Sequence, residues 1–375
     1  MGRLAGLLVF ISIVLGVLLG LHYYLWVRLV RDPHWPAPWG TVGAIILLLI
    51  TLSIPVTFIL IRRSSGAARL MAWPVFIWIG LMFLLVVTLA GSDLARAVLA
   101  LARRLVHGQP VDPERRALFA RWIAGGAVAV AATAGLGAMT SALGAVAVRR
   151  IEIPLRRLSR QHDGLSLVQL TDLHIGPTIG KDDLADVVQR TNQLRPGIIA
   201  ITGDLVDGSV DQLRDAVSPL AQLKATHGVF FVTGNHEYFS GATAWVEELS
   251  RLGIRVLRNE RVTIGEGENT LYLAGVDDRS AARSLDRGHG EDLPKALDGR
   301  DRRRPVILLA HQPRTVLDAA KFGVDLQLSG HTHGGQIWPF GALVRLQQRF
   351  LAGLGRHEET FIYVSRGTGY WGPPM

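Results

Sequence analysis

The 375 residues are 49% hydrophobic and carry 40 Lys+Arg against 31 Asp+Glu, a formal charge of +9. The surplus sits in residues 1–150, with 14 basic against 4 acidic side chains; the remainder, 26 against 27, lacks the basic patch that a nucleic-acid partner requires. No cysteine is present, which excludes disulfides and thiolate metal sites and leaves the compartment open.

A bilayer core takes about 20 apolar residues as a helix. Four stretches predict such helices: 4–25, 41–61, 71–91 and 122–148. None contains Asp, Glu, Lys or Arg, which argues against a transport path through them. Tyr23, Tyr24, Trp26, Trp35 and Trp39 suit interfacial belts. Gly125, Gly126, Gly135, Gly137 and Gly144 permit close packing of the fourth helix, within a bundle or between copies of the chain as a homo-oligomer. Basic loops at 62–69 and 149–160 fall on one side, and Arg28, Arg31 and a loop at 96–121 on the other. With Arg3 on the side of the first group the count is nine against eight, which does not choose an orientation. Arg115-Arg116-Ala117-Leu118-Phe119 resembles an internal twin-arginine export signal, with Glu114 and Ala120 departing from the usual pattern. As a signal it would place residues 151–375 outside the cytoplasm; otherwise the pair simply flanks the membrane.

Beyond residue 165 the pattern alternates. Strands are expected at 166–170, 197–202, 229–233, 306–310 and 324–328, with helices at 182–194, 211–223 and 243–252. Shorter strands are expected at 255–257, 261–264 and 271–274, and a polar surface loop at 280–304. Strands separated by such helices imply βαβ units, whose ligands gather beyond the carboxyl ends of the strands.

Five phrases stand at those ends: Asp172-Leu173-His174, Gly203-Asp204-Leu205-Val206-Asp207, Gly234-Asn235-His236-Glu237, His311, and Gly330-His331-Thr332-His333. Their oxygen and nitrogen donors suit divalent cations and suffice for two. Asp204, with two carboxylate oxygens, is the natural bridge. Gly203, Gly234 and Gly330 are expected to let the backbone turn sharply before each donor. His22, His34, His107, His162, His227, His289 and His357 lie outside these phrases and read as structural. Asp182, Asp183, Asp277 and Asp278 read as caps and turns rather than supporting acids.

Five phrases in this order resemble the calcineurin-like metallophosphoesterases, over residues 165 to the end of the chain. The four apolar stretches make residues 1–150 an α-helical transmembrane bundle, and the resemblance implies that an α/β sandwich of two packed sheets flanked by helices follows (151–375). It assigns one divalent ion to Asp172, His174, Asp204 and His333, and a second to Asp204, Asn235, His311 and His331; Mn, Fe and Zn all suit such ligands. His236 corresponds to the family's proton donor and Asp207 to the acid that orients it, while a hydroxide bridging the ions attacks phosphorus. Asn235 would also contact substrate.

Gly208 stands where the protein phosphatase branch carries a phosphate-clamping arginine, so a phosphodiester or pyrophosphate is the expected substrate. Membrane anchoring, residues 330–336 and the tail 365–374 resemble a bacterial branch of UDP-diacylglucosamine pyrophosphatase-like enzymes. That implies a multi-pass protein of the bacterial cell membrane, with a phosphorylated small-molecule, lipid-linked or envelope substrate. Arg366 would reach substrate phosphate or form a structural salt bridge. Ile337-Trp338-Pro339-Phe340 reads first as packing under the last helix and second as contact for an acyl chain or the membrane surface. Two other readings compete. A dimetal nuclease or nucleotide phosphodiesterase is disfavoured by the near-neutral domain. An inactive membrane sensor or scaffold should have lost a ligand or the His236–Asp207 pair, and all are present.

Overall fold

A computed structural model describes residues 2–63, 66–105, 113–284 and 288–375. His107, with the rest of 106–112, and parts of the expected 62–69 and 280–304 loops lie outside the described residues. The chain divides into two units, Met1–Leu143 with Gly372–Met375, and Gly144–Trp371.

The first unit contains α1 (Gly2–Trp26), α2 (Trp39–Arg62), α3 (Gly66–Leu105) and α4 (Pro113–Ala142). All four are long and apolar enough to cross a membrane. Their limits differ from the hydropathy reading. α3 runs on past Gly91 for 40 residues in all, because the Ala-, Leu- and Arg-rich stretch 92–105 contains no helix breaker. The expected 96–121 loop is therefore mostly helix: Arg96 belongs to α3, and Arg115, Arg116 and Arg121 to α4. α4 opens on Pro113, a residue suited to a first turn, and stops at Ala142 rather than 148. Leu25, Leu85, Leu89, Ala127 and Ala131 form one core of this unit. Gly135 faces Leu81 of α3, whereas Gly125, Gly126 and Gly137 face open space. Arg28, just past the first predicted span, pairs with Asp32 and Asp93 at 2.7 and 2.6 Å. His22 accepts from Trp78 Nε1 at 3.0 Å, in keeping with a structural histidine.

In the second unit, β1 (Leu167–Leu170), β2 (Ile198–Ile201), β3 (Val229–Phe231) and β4 (Arg255–Val256) form a parallel four-stranded sheet in that order. Their crossovers carry α5 (Lys181–Gln193), α6 (Val210–Val217), α7 (Asn235–Ser240) and α8 (Ala242–Arg251). A six-stranded sheet follows in the order β5-β6-β7-β8-β10-β9. It comprises β5 (Glu260–Ile264), β6 (Leu271–Gly275), β7 (Val306–Leu309), β8 (Leu326–Ser329), β9 (Gly353–His357) and β10 (Thr360–Val364). Only its outer pairs, β5 with β6 and β9 with β10, are antiparallel.

Strand alternation sends successive side chains to opposite faces. Ile307, Leu309, Leu271 and Leu273 thus meet Ile198, Ala200 and Phe230 between the sheets. Val306, Leu308 and Ala274 turn outward to pack under α9 (Leu293–Leu297) and α10 (Val316–Ala319). The expected 280–304 loop is thus partly helical: Leu293, Ala296 and Leu297 are buried on α9. This unit is the expected α/β sandwich of two sheets flanked by helices.

Candidate metal centre

Each phrase follows a strand of the two sheets, and the backbone there takes an unusual course. Asp172, His174, Asp204, His331 and His333 all adopt left-handed φ values, 51°, 49°, 51°, 71° and 49°. Such conformations cost a non-glycine residue about 1–2 kcal/mol and cluster where function imposes them. Of the three glycines expected to turn the chain, only Gly203 has positive φ, 86°. At Gly234 and Gly330 the requirement is close approach: a Cβ would collide with the Asp204 and Asp172 carboxylates respectively.

The donors converge. Asp172, His174 and His333 offer atoms within 4.8 Å of one another, as do Asp204, His311 and His331. His174 Nε2 lies 3.1 Å from His333 Nε2, and His311 Nε2 lies 3.2 Å from His331 Nδ1. Asp204 Oδ2 reaches towards both groups, at 3.1 Å from His311 Nε2 and 4.0 Å from His174 Nε2. Asn235 Oδ1 is 3.2 Å from His311 Nε2.

Proton accounting tests whether a cation fits. His311 Nδ1–H donates to the Thr202 carbonyl at 2.8 Å, which in the neutral ring leaves Nε2 as a lone pair. That lone pair faces a carboxylate oxygen, an amide oxygen and an imidazole nitrogen. His174 repeats the pattern: Nδ1–H donates to Asp207 at 3.2 Å while Nε2 faces His333. Two nitrogens bound to one ion at about 2.1 Å sit about 3.0–3.4 Å apart, which is the spacing found. Divalent cations would satisfy these converging lone pairs. Without one, burial pulls His311 down but the Asp204 charge outweighs it and drives its pKa well above the ordinary value. His333 is instead pushed down to about 4 by burial, against the pull of Asp172, so it presents a neutral ring.

His236 stands beside these groups. Its Nδ1–H donates to Asp207 Oδ1 at 2.6 Å, the same oxygen that receives His174. Burial lowers the His236 pKa, yet the Asp207 hydrogen bond and the Asp204 charge outweigh it and push the ring up to about 9. Asp207 goes the other way: burial raises it, and the two histidine hydrogen bonds outweigh that and bring it to about 2. The edge of the His236 ring faces Phe239 and Trp371, with centroids at 5.7 and 5.6 Å.

Several site residues escaped the sequence reading. Glu237 is fully buried and accepts from Gly234 N, Leu205 N and Asp204 N at 2.6, 2.8 and 3.0 Å. It clasps the second phrase to the third, and its place three residues after Gly234 is the capping-box position. Thr171 donates to Asp172 Oδ2 at 2.7 Å, and Thr368 and Gly369 bond the Thr171 and Asp172 carbonyls. No spacing rule pointed to them. Among the acids read as caps, Asp183 and Asp278 do cap, accepting from Gly180 N and Ser280 N. Asp277 does not; it holds Arg258 through two hydrogen bonds of 3.0 and 3.1 Å. Arg366 is exposed beside Gly334 and has no carboxylate partner among the described residues, against the salt-bridge alternative. Trp338 is 82% exposed and Phe340 is exposed too, so the packing reading fails for these two residues, while Ile337 and Pro339 are half-buried.

Two packed sheets with oxygen and nitrogen donors gathered at strand ends define a metal-dependent hydrolase class, and comparison with known proteins makes it specific. Residues 165–335 match the calcineurin-like phosphoesterase family. A "Transmembrane protein with metallophosphoesterase domain" from Danio rerio is 43% identical over 232 residues, 60% of this chain and 53% of that protein. An "Uncharacterized metallophosphoesterase" from Helicobacter pylori is 42% identical over 230 residues, 61% and 60% of the two chains. One of the same description from Aquifex aeolicus is 38% identical over 214 residues, 56% of this chain and 80% of that one. The chain belongs to the calcineurin-like phosphoesterase family. It spans about half the length of the first curated relatives it matches.

Proposed function

We propose that the chain is a membrane-anchored, dimetal-dependent phosphoesterase acting on a phosphodiester or pyrophosphate bond in a lipid-linked or envelope substrate. The observation that carries this is the His311 Nε2 lone pair held against three further acceptors, beside a His236–Asp207 pair. Asp172, His174, Asp204 and His333 would hold one ion, and Asp204, Asn235, His311 and His331 the other. The pair of ions would supply a nucleophilic water and offset the charge on phosphorus.

The chain's own residues do the rest. A ring with a pKa of about 9 is protonated at neutral pH, so His236 can give its Nε2 proton to the departing oxygen. Asp207 fixes that ring's orientation and, through His174 Nδ1, the direction of a proposed ligand. Gly208 supports a diester over a monoester: a side chain there would meet Gln212 Oε1 at 2.9 Å, and no arginine clamp follows Asp207. Arg366 and Asn235 are the groups we assign to the substrate's phosphoryl oxygens. The four apolar helices, and relatives named as transmembrane, support a bilayer location. The Arg115-Arg116 pair favours a catalytic domain outside the cytoplasm.

The test is hydrolysis of bis-p-nitrophenyl phosphate against p-nitrophenyl phosphate by the full chain in detergent. Added Mn²⁺ should favour the diester, a chelator should abolish turnover, and His236→Ala should lower kcat by about 10²–10⁴-fold. Metal-independent hydrolysis, or none with any divalent ion, would falsify the reading.

A further inference from the structure

The segment after His333 is an unusual surface. Trp338 and Leu346 are each 82% exposed, and Phe340, Leu343 and Leu354 are exposed beside them in the chain. α11 (Gly341–Val344) explains how they line up. Leu343 N donates to Phe340 O and Leu346 N to Leu343 O, at 2.9 and 3.0 Å. These i→i+3 turns bring residues three apart onto one side, so Phe340, Leu343 and Leu346 share a face. A soluble surface rarely shows so many large apolar side chains together without a partner.

Charge identifies the partner. From Thr332 to His357 the sequence contains no Asp or Glu, while Arg345 and Arg349, four positions apart in the chain just after α11, are exposed. Neither has a carboxylate partner among the described residues. Tryptophan and leucine with flanking arginine match the chemistry of an anionic bilayer interface, where the ring lies at headgroup depth and guanidinium meets phosphate. A chain carrying four helices that can cross a membrane always has such an interface within reach.

We infer that residues 338–354 form a docking surface for an anionic phospholipid bilayer. The segment is also tied to the proposed catalytic residues. Gln336 and Trp371 exchange hydrogen bonds of 3.0 and 3.1 Å, and the Trp371 and His236 rings meet in a T-shaped contact. Docking would therefore hold His236 near the headgroup layer. The inference stands whether or not the substrate is lipid-linked.

The absence of cysteine makes the test clean. Leu346→Cys in the full chain is labelled with an environment-sensitive fluorophore and reconstituted into phosphatidylcholine–phosphatidylglycerol nanodiscs. Emission should shift to the blue and fall about twofold with doxyl-labelled lipid, while a label at exposed Glu268→Cys does neither. Trp338→Cys should behave as Leu346→Cys does. Reversal of Arg345→Glu with Arg349→Glu, or pure phosphatidylcholine, should remove most of the quenching. A blue shift without lipid quenching means that protein, such as a second copy, covers the face, and overturns the inference. Unshifted emission overturns it as well, and quenching insensitive to charge reversal removes the anionic component.

Discussion

At the scale of single residues, Asp207 carries two duties on one oxygen. It accepts from His236, the proposed acid, and from His174, a proposed ligand. Outer partners of a metal-binding imidazole are typically worth about 10–100-fold in metal affinity. Asp207→Asn should therefore lower kcat and weaken Mn²⁺ binding by about 10–100-fold, whereas His236→Ala should lower kcat and leave metal affinity near its original value. Metal titration beside steady-state rates separates the two; equal affinity in both variants would show that Asp207 does not orient His174. Glu237 acts differently, since both of its carboxylate oxygens are taken up by backbone N–H groups. Its three backbone acceptor bonds are buried, and Glu237→Gln would set an amide N–H against one of those donors. The cost should be about 1–3 kcal/mol, seen as a lower Tm, with kcat preserved in the remaining folded protein. An unchanged Tm would remove the clasp.

Among elements, what the sequence exposed and what it hid have physical causes. β2 and β7 were legible because Ile198–Ile201 and Val306–Leu309 are uniformly apolar and buried on both faces. The phrases after β2 and β7 were legible because each follows such a run, whereas β1 and β8 interrupt theirs with Gln169 and with Gln327 and Ser329. β9 escaped notice: Gly353–His357 is a half-exposed outer strand with two glycines. β10 had a signal that went unread, since Thr360–Val364 is made entirely of strand-favouring residues. β10 matters to the site because it delivers Thr368 and Gly369 to the first phrase. Gly369 N donates to the Asp172 carbonyl at 3.0 Å, and a side chain at 369 would collide with the Leu173 carbonyl. That pairing links residues 197 positions apart, which no local pattern reports. Gly369→Ala should push the tail away from Asp172, costing about 1–3 kcal/mol and lowering the metal bound per chain. Full metal content at an unchanged Tm would show that the tail only lies against the site.

For the whole molecule, the proposed ions matter to stability as much as to chemistry. Five donors in left-handed conformations, the buried carboxylates of Asp172 and Asp204 among them, are arranged at a cost to folding. Ions that bind only the folded form offset that cost: at 100 times Kd the gain is about 2.7 kcal/mol per site. In a domain of 150–250 residues each kcal/mol moves Tm by about 2–4 °C. The two units have separate cores, so two transitions are expected on heating the full chain in detergent. Chelation should lower the transition of Gly144–Trp371 by about 5–10 °C for one site and leave that of the four-helix unit in place. Returning Mn²⁺ should restore the first, with a dependence on concentration that follows the binding isotherm. If both transitions shift together, or neither does, the ions are not held by the strand-end donors alone, and the assignment of ligands to the second unit fails.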